Sequence, residues 1–199
     1  MKTKIRLAIF ASGSGSNAEN IIRHFQHHPS VEVCCVLCNK QGAYVLERTA
    51  PYGVKQKVFS RDEMYNSDDV LHYLNTFHVD YLILAGFLWL MPQRIVDAYP
   101  ERIINIHPAL LPAYGGKGMY GMRVHEAVVA AGEKETGITI HLVNEKYDEG
   151  KSLFQARVAL TAKDTPETVA EKIHELEQTH FPRVIEEYVM KHGQKPVPE

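Results

Sequence analysis

Apolar residues in the first half of this chain form short unbroken runs, and the stretches between them carry apolar residues at helical intervals. "IRLAIFA" (5–11) is one such run, followed at once by small residues, which suits a strand buried on both faces of a parallel sheet. "NAENIIRHFQHH" then puts apolar residues at 21, 22 and 25, a helical spacing that Pro29 closes. "VEVCCVLCN" predicts a second strand, "AYVLERTAPYG" a short helix ending near Gly53, and "VKQKVF" a third strand. "SDDVLHYLNTF" predicts a helix with Ser67 as its N-cap. "VDYLILAGF" is apolar on both faces, "PQRIVDAY" opens a helix with proline, and "RIINIHPALLP" is a strand entering a proline-bounded loop. Gly-rich "AYGGKGMYGM" precedes a helix at "VHEAVVAAG". "TGITIHLVN" and "SLFQARVAL" predict two strands around the turn "EKYDEGK". A long amphipathic helix runs from Thr165-Pro166 to about Lys191, leaving 192–199 as a frayed tail.

Strands that alternate with helices imply right-handed βαβ units. The final two strands lack an intervening helix and should pair antiparallel at one edge. The predicted fold is therefore α/β: a Rossmann-like, mostly parallel twisted sheet with helices on both faces, antiparallel strands at one edge and a long C-terminal helix. Ligands of such sheets bind beyond the carboxyl ends of the strands, here in the loops after Ala11, Phe87 and Asn105.

Composition narrows the classes. With 199 residues, 45% of them hydrophobic, and no linker or repeat, the chain reads as one domain. A net charge of −2 with scattered Lys and Arg argues against nucleic acid or a membrane surface as partner. The apolar run after Arg6 is too short for a signal peptide, and nothing approaches a membrane span, so a cytoplasmic protein is expected. Cys34, Cys35 and Cys38 crowd into one strand. Cys35 and Cys38 have C-x-x-C spacing, but no second pair completes a zinc site, and they read as small buried hydrophobes.

The candidate chemistry starts in "ASGSGSN". Gly13, Gly15 and Ala18 fit G-x-G-x-x-A in a strand-to-helix turn, where backbone N–H groups and the helix dipole favour an anion. A dinucleotide needs a carboxylate at the end of the second strand, which instead ends in Asn39-Lys40; a P-loop needs Gly-Lys-Ser/Thr, which is absent. A single phosphate fits better, with Asn17 capping the helix; a ligand-free glycine turn is the alternative. In "NIHP", Asn105 and His107 share one strand face. Asn donates to a developing oxyanion and His exchanges protons near neutrality; the alternative is a strand-end Asn capping the turn and a His satisfied by backbone. Asp148 in "KYDEG" is either an ordinary turn aspartate or, if the loop folds back, a carboxylate holding His107 charged and oriented. Phe87, Leu88, Trp89, Leu90 and Met91 are either core or a wall for a flat heteroaromatic ligand. The Gly-rich stretch reads as a substrate-facing loop, with Tyr114 and Lys117 as possible contacts.

Taken together, "ASGSGSN", "LAGF", "NIHPALLPAYGG", "GITIHLVNEKYDEG" and "EQTHFP" resemble the glycinamide ribonucleotide formyltransferases, within the folate-dependent formyltransferase superfamily. The similarity runs from about Ile5 to Tyr188, in the family's motif order. It implies a single formyltransferase domain over 1–199 that moves the formyl group of 10-formyltetrahydrofolate, a co-substrate, to the amine of glycinamide ribonucleotide in purine biosynthesis. No metal is implied, and the chain would act as a monomer or homodimer. The catalytic Asn, His and Asp match Asn105, His107 and Asp148, and His141 matches a histidine kept near them. The ribonucleotide phosphate maps to Gly15, Ser16 and Asn17, and the substrate's other end to Glu177. Folate maps to Arg61, the backbone of Leu88, Trp89, Leu90 and Met91, and Asn105. Trp89 stands where shorter bacterial versions often carry arginine, and the stretch from Tyr114 to Met122 is longer than theirs. The superfamily's formyl-folate hydrolases and methionyl-tRNA formyltransferases carry an added N-terminal and C-terminal domain respectively. A chain opening at its first strand and closing after one long helix is expected to lack both.

Overall fold

The computed structural model describes residues 4–195. Seven strands form one sheet: β1 (Ile5–Ala11), β2 (Val31–Cys38), β3 (Lys55–Val58), β4 (Tyr81–Leu84), β5 (Ile103–His107), β6 (Glu135–Leu142) and β7 (Ser152–Ala159). Seven α-helices accompany them: α1 (Ser16–Phe25), α2 (Tyr44–Thr49), α3 (Arg61–Tyr65), α4 (Asp69–Thr76), α5 (Gln93–Ala98), α6 (Met122–Ala130) and α7 (Pro166–His192). The strand order is β3-β2-β1-β4-β5-β6-β7. The first five strands are parallel; β6 runs antiparallel to β5, and β7 to β6. This is the predicted fold class. The antiparallel edge also includes the β5–β6 pairing, which follows from the direction in which α6 returns the chain.

Alternate residues of β1 serve two cores, as a strand covered on both faces requires. Leu7, Ile9 and Ala11 pack on one face with Ile21, Phe25, Ile104 and Phe181, whereas Ala8 and Phe10 pack on the other with Leu37, Met64, Leu74 and Ile95. The chain builds outward from β1 to β3, then crosses back to place β4 on the other side of β1. That reversal leaves a crevice beyond the carboxyl ends of β1 and β4, the expected ligand position in a sheet of this kind.

Three local readings are corrected, and one short helix is added. Ser67 is not the cap of α4: the helix starts at Asp69 with Asp68 at the N-cap, and the Ser67 hydroxyl accepts the Asp69 N–H at 3.3 Å from one residue earlier. Helix α3, which no expectation covered, is a single turn held by a capping box in which Ser60 accepts the Glu63 N–H and Glu63 accepts that of Ser60. Asn17 does not cap α1, whose N-cap is Gly15. Residues 193–195 are not frayed: Tyr81 and Arg102 donate to the Gly193 carbonyl at 2.7 and 2.9 Å, and Asp80 accepts the Lys195 N–H at 2.6 Å. The rest of the expected tail, 196–199, lies outside the described residues. The three cysteines are free thiols; Cys35 and Cys38 are buried in β2, and Cys34 donates to the Leu7 carbonyl at 3.2 Å.

Candidate active site

A cleft of about 700 Å³ opens beyond β1, β4 and β5. One part of its wall is the loop from Gly13 to Asn17. Gly15 holds φ 76°, and a Cβ there would lie 2.6 Å from the Cα and Cβ of Val45, so only glycine allows α2 to pack this close. With no side-chain cap on α1, the N–H groups of its first turn remain aimed at the cleft, the arrangement that holds a phosphate. The Ser12 hydroxyl instead accepts the Leu88 N–H at 3.1 Å, tying this loop to the one after β4.

Asn17 donates to the Glu177 carboxylate at 2.9 Å and accepts from Gln178 at 2.8 Å. Glu177 reaches this position because α7 passes beside α1 at its internal Pro182. Proline has no N–H to offer the carbonyl four residues back, and that carbonyl, of Gln178, accepts from Asn20 at 2.8 Å instead. Asn17 and Glu177, 160 positions apart, thus form one wall.

Asn105, His107, His141 and Asp148 meet in the same cleft. Asn105 pairs with His141 across the β5–β6 ladder, and their side chains approach to 3.1 Å between Nδ2 and Nε2. His141 Nδ1 lies 2.8 Å from the Leu142 carbonyl, which only accepts, so Nδ1 carries the proton and Nε2 accepts from Asn105. One amide N–H of Asn105 is thereby fixed and the other is left for a ligand. His107 is 4% exposed and its Nε2 donates to the Tyr114 carbonyl at 2.7 Å. Its Nδ1 lies 3.5 Å from Asp148 Oδ2, and Asp148 Oδ1 lies 3.6 Å from His141 Nε2. Asp148 reaches both from the β6–β7 turn by adopting φ 56°, and accepts the Gly116 N–H at 2.9 Å. Gly150 closes that turn where a Cβ would strike the Leu142 carbonyl at 1.7 Å.

The electrostatics of the pair oppose one another. Burial pushes the His107 imidazole below its ordinary value, with the Asp148 charge and the Tyr114 carbonyl only partly offsetting it. Burial would raise Asp148, but the His141 and His107 imidazoles, where protonated, and the Gly116 N–H outweigh it and hold the carboxyl low. The resting state is a neutral His107 protonated on Nε2 beside a carboxylate. Asp148 offsets part of the cost of protonating this buried ring, because the ion pair then forms in place.

Leu88, Trp89, Leu90 and Met91 line the cleft after β4. Trp89 packs edge-on against Phe59 and Phe87, with ring centroids at 6.0 and 6.3 Å. Arg61 does not line the cleft; its guanidinium sits 5.5 Å from the Trp89 ring and 4.9 Å from that of Tyr65, behind the wall. Lys117 lines the cleft as expected, whereas the Tyr114 hydroxyl points away to Glu133 and only its carbonyl serves the site. Sequence reasoning missed the Tyr114 carbonyl and Gly116 N–H, which have no side-chain signature. It also missed His125, which also lines the cleft.

Residues 5–185 match the formyl transferase family model, and the chain belongs to that family. Its relatives narrow the likeness. It is 39% identical over 186 residues to a chloroplastic phosphoribosylglycinamide formyltransferase of Arabidopsis thaliana, covering 90% of this chain and 64% of that protein. It is 33% identical to the phosphoribosylglycinamide formyltransferase of Bacillus subtilis, covering 92% of this chain and 93% of that one. The crystal structure of the enzyme of that name from Bacillus halodurans superposes with a TM-score of 0.84 at 35% identity, over 94% of this chain and 97% of that one. The chain thus spans less than two thirds of the Arabidopsis relative's length and nearly all of the two bacterial ones.

Proposed function

We propose that the protein transfers the formyl group of 10-formyltetrahydrofolate to the primary amine of N1-(5-phospho-D-ribosyl)glycinamide, giving formylglycinamide ribonucleotide in de novo purine biosynthesis. The observation that carries this reading is the meeting of Asn105, His107, His141 and Asp148 in one cleft that also holds an uncapped helix start and an aromatic wall.

The amine nitrogen attacks the formyl carbon, and the carbonyl oxygen becomes an oxyanion that accepts the free amide N–H of Asn105. The ammonium formed at the attacking nitrogen loses its proton to His107 at Nδ1, directly or through a water held by Asp148. The carboxylate stabilises the imidazolium as it forms, while the Tyr114 carbonyl fixes the other nitrogen. Collapse of the intermediate breaks the bond to the folate N10, which takes up that proton. Gly15, Ser16 and Asn17 receive the substrate phosphate, and Glu177 its other end. Leu88, Trp89, Leu90 and Met91 flank the folate, with Asn105 between the two substrates and Arg61 braced behind Trp89.

We place this chemistry in one domain over 1–199, acting in the cytoplasm as a monomer or homodimer, without a metal and without nucleic-acid or membrane partners. Among the described residues no helix is long and apolar enough to cross a membrane. The test is to mix the purified chain with both substrates and follow folate absorbance and product. Folate consumption that requires the ribonucleotide is expected. Consumption without it would reassign the protein as a hydrolase, and no consumption under any condition would leave only a binding module.

A further inference from the structure

One titratable side chain in the cleft takes no part in the chemistry above. His125 lies on the buried side of α6 with Val124 and Val128, is 6% exposed and lines the cleft. Its Nδ1 is shut off from water and has no hydrogen-bond partner. A buried polar atom left unpaired is costly, and histidines in a core ordinarily find a backbone or side-chain partner. A position that needed only volume would be filled better by an apolar side chain.

Burial holds the His125 imidazole below its ordinary value; Glu177 pulls it back in part and His107 pushes it further down. The ring is therefore neutral, and it stands close enough to feel the Glu177 charge and that of His107 once protonated. A neutral ring cannot balance a phosphate dianion, which the N–H groups of the 13–17 loop are built to hold. It is also remote in kind from the aromatic wall around Trp89. What it suits is an uncharged donor or acceptor.

We infer that His125 is a substrate-binding residue, hydrogen-bonding the hydroxyl or amide group of an amine ribonucleotide that lies between its phosphate and its reacting nitrogen. The inference rests on reading the cleft as a glycinamide ribonucleotide site, and it adds a contact that reading does not contain. On this view Nε2, the ring nitrogen that is not shut off, makes the bond from a ring that no protein group among the described residues holds at either nitrogen, so that discrimination is set against analogues lacking the group.

Three variants test it in the full chain. His125→Phe keeps a ring and removes both nitrogens; His125→Asn returns an amide near the Nδ1 position and His125→Gln near that of Nε2. Binding of glycinamide ribonucleotide alone is measured by calorimetry, together with the melting temperature and the KM for each substrate. His125→Phe should weaken ribonucleotide binding about tenfold, the worth of one hydrogen bond of this type. The folate KM and the melting temperature should stay at the parent values, and either the Asn or the Gln variant should recover binding. Parental binding by the Phe variant, with the parent still transferring formyl groups, would make His125 a packing residue and overturn the inference. So would a loss in all three variants that tracks a lowered melting temperature. If the parent itself neither binds the ribonucleotide nor forms product, the functional reading fails first and the inference falls with it.

Discussion

The loop at 13–17 and the cluster of Asn105, His107, His141 and Asp148 line one cleft but are built in opposite ways. Residues 13–17 form a contiguous turn into α1, with no side-chain cap and no room for a Cβ at Gly15. The cluster takes Asn105 and His107 from β5, His141 from β6 and Asp148 from the turn after it, and none is bonded to its partners through neighbours in sequence. A loop of the first kind tolerates side-chain change and fails when its backbone is bent. A cluster of the second kind tolerates backbone variation between its members and fails when one side chain is removed.

The largest test of that contrast is His107→Ala. It should lower kcat by roughly 10²–10⁴, the usual worth of a positioned proton-transfer group, with ribonucleotide binding preserved because the loop is untouched. Binding lost in parallel with kcat would show the two regions to be one structural unit.

Asp148→Asn comes next. The carboxylate raises the His107 imidazole against the effect of burial, so its removal lets the imidazole fall further. Activity that needs neutral His107 as base declines as pH drops through its pKa, so the acid limb of the kcat profile should move to lower pH. A nearby opposite charge shifts such a group by about 1–3 units. The remaining base is weaker, and the plateau should fall as well. An acid limb that stays in place removes Asp148 from the proton-transfer set.

Gly15→Ala probes the other region. A non-glycine residue in the left-handed conformation costs about 1–2 kcal/mol, before the clash with Val45 is counted. In a protein of this size that lowers the melting temperature by about 2–8 °C. The ribonucleotide KM should rise, with kcat at saturating ribonucleotide close to the parent's. A fall in kcat alone would contradict the division of labour.

The smallest effect is expected from Trp89→Ala, which removes one of two rings bracing Arg61. A cation–π contact near the surface is worth about 0.5–1 kcal/mol, which corresponds to a two- to fivefold rise in folate KM. The ribonucleotide KM should not move. If it does, the aromatic wall serves both substrates.

Local chemistry was legible in the sequence wherever a residue's role depends on its chain neighbours. Near-continuous apolar runs marked β1, β2, β4 and β5, because a strand covered on both faces has little polar side, whereas edge strand β3 reads KQKV. Thr165 with Pro166 marked the start of α7, since the cap and first-turn geometry lie within four residues. Asn105 and His107 read as co-facial because strand side chains alternate. The errors came where a distant group competes. Asn17 looked like a helix cap, yet its amide is taken by Glu177 and Gln178 from α7. Residues 193–195 looked free, yet they dock on Asp80 and Arg102.

Local sterics and the two-residue period of a strand set the sheet's parallel half, the glycine turn after β1 and the strand pair Asn105–His107, so these follow from the order of residues. That Asp148 is no ordinary turn aspartate follows from packing between remote segments. Its carboxylate reaches His107 and His141 because β6 reverses against β5 and the turn takes a left-handed step that glycine at 150 completes. Tertiary packing also made the Tyr114 carbonyl the partner of His107, a role the residue's side chain does not encode. Charge and hydrogen-bond partners depend on distances of 3–4 Å between remote segments, and those distances are set by packing rather than by order along the chain.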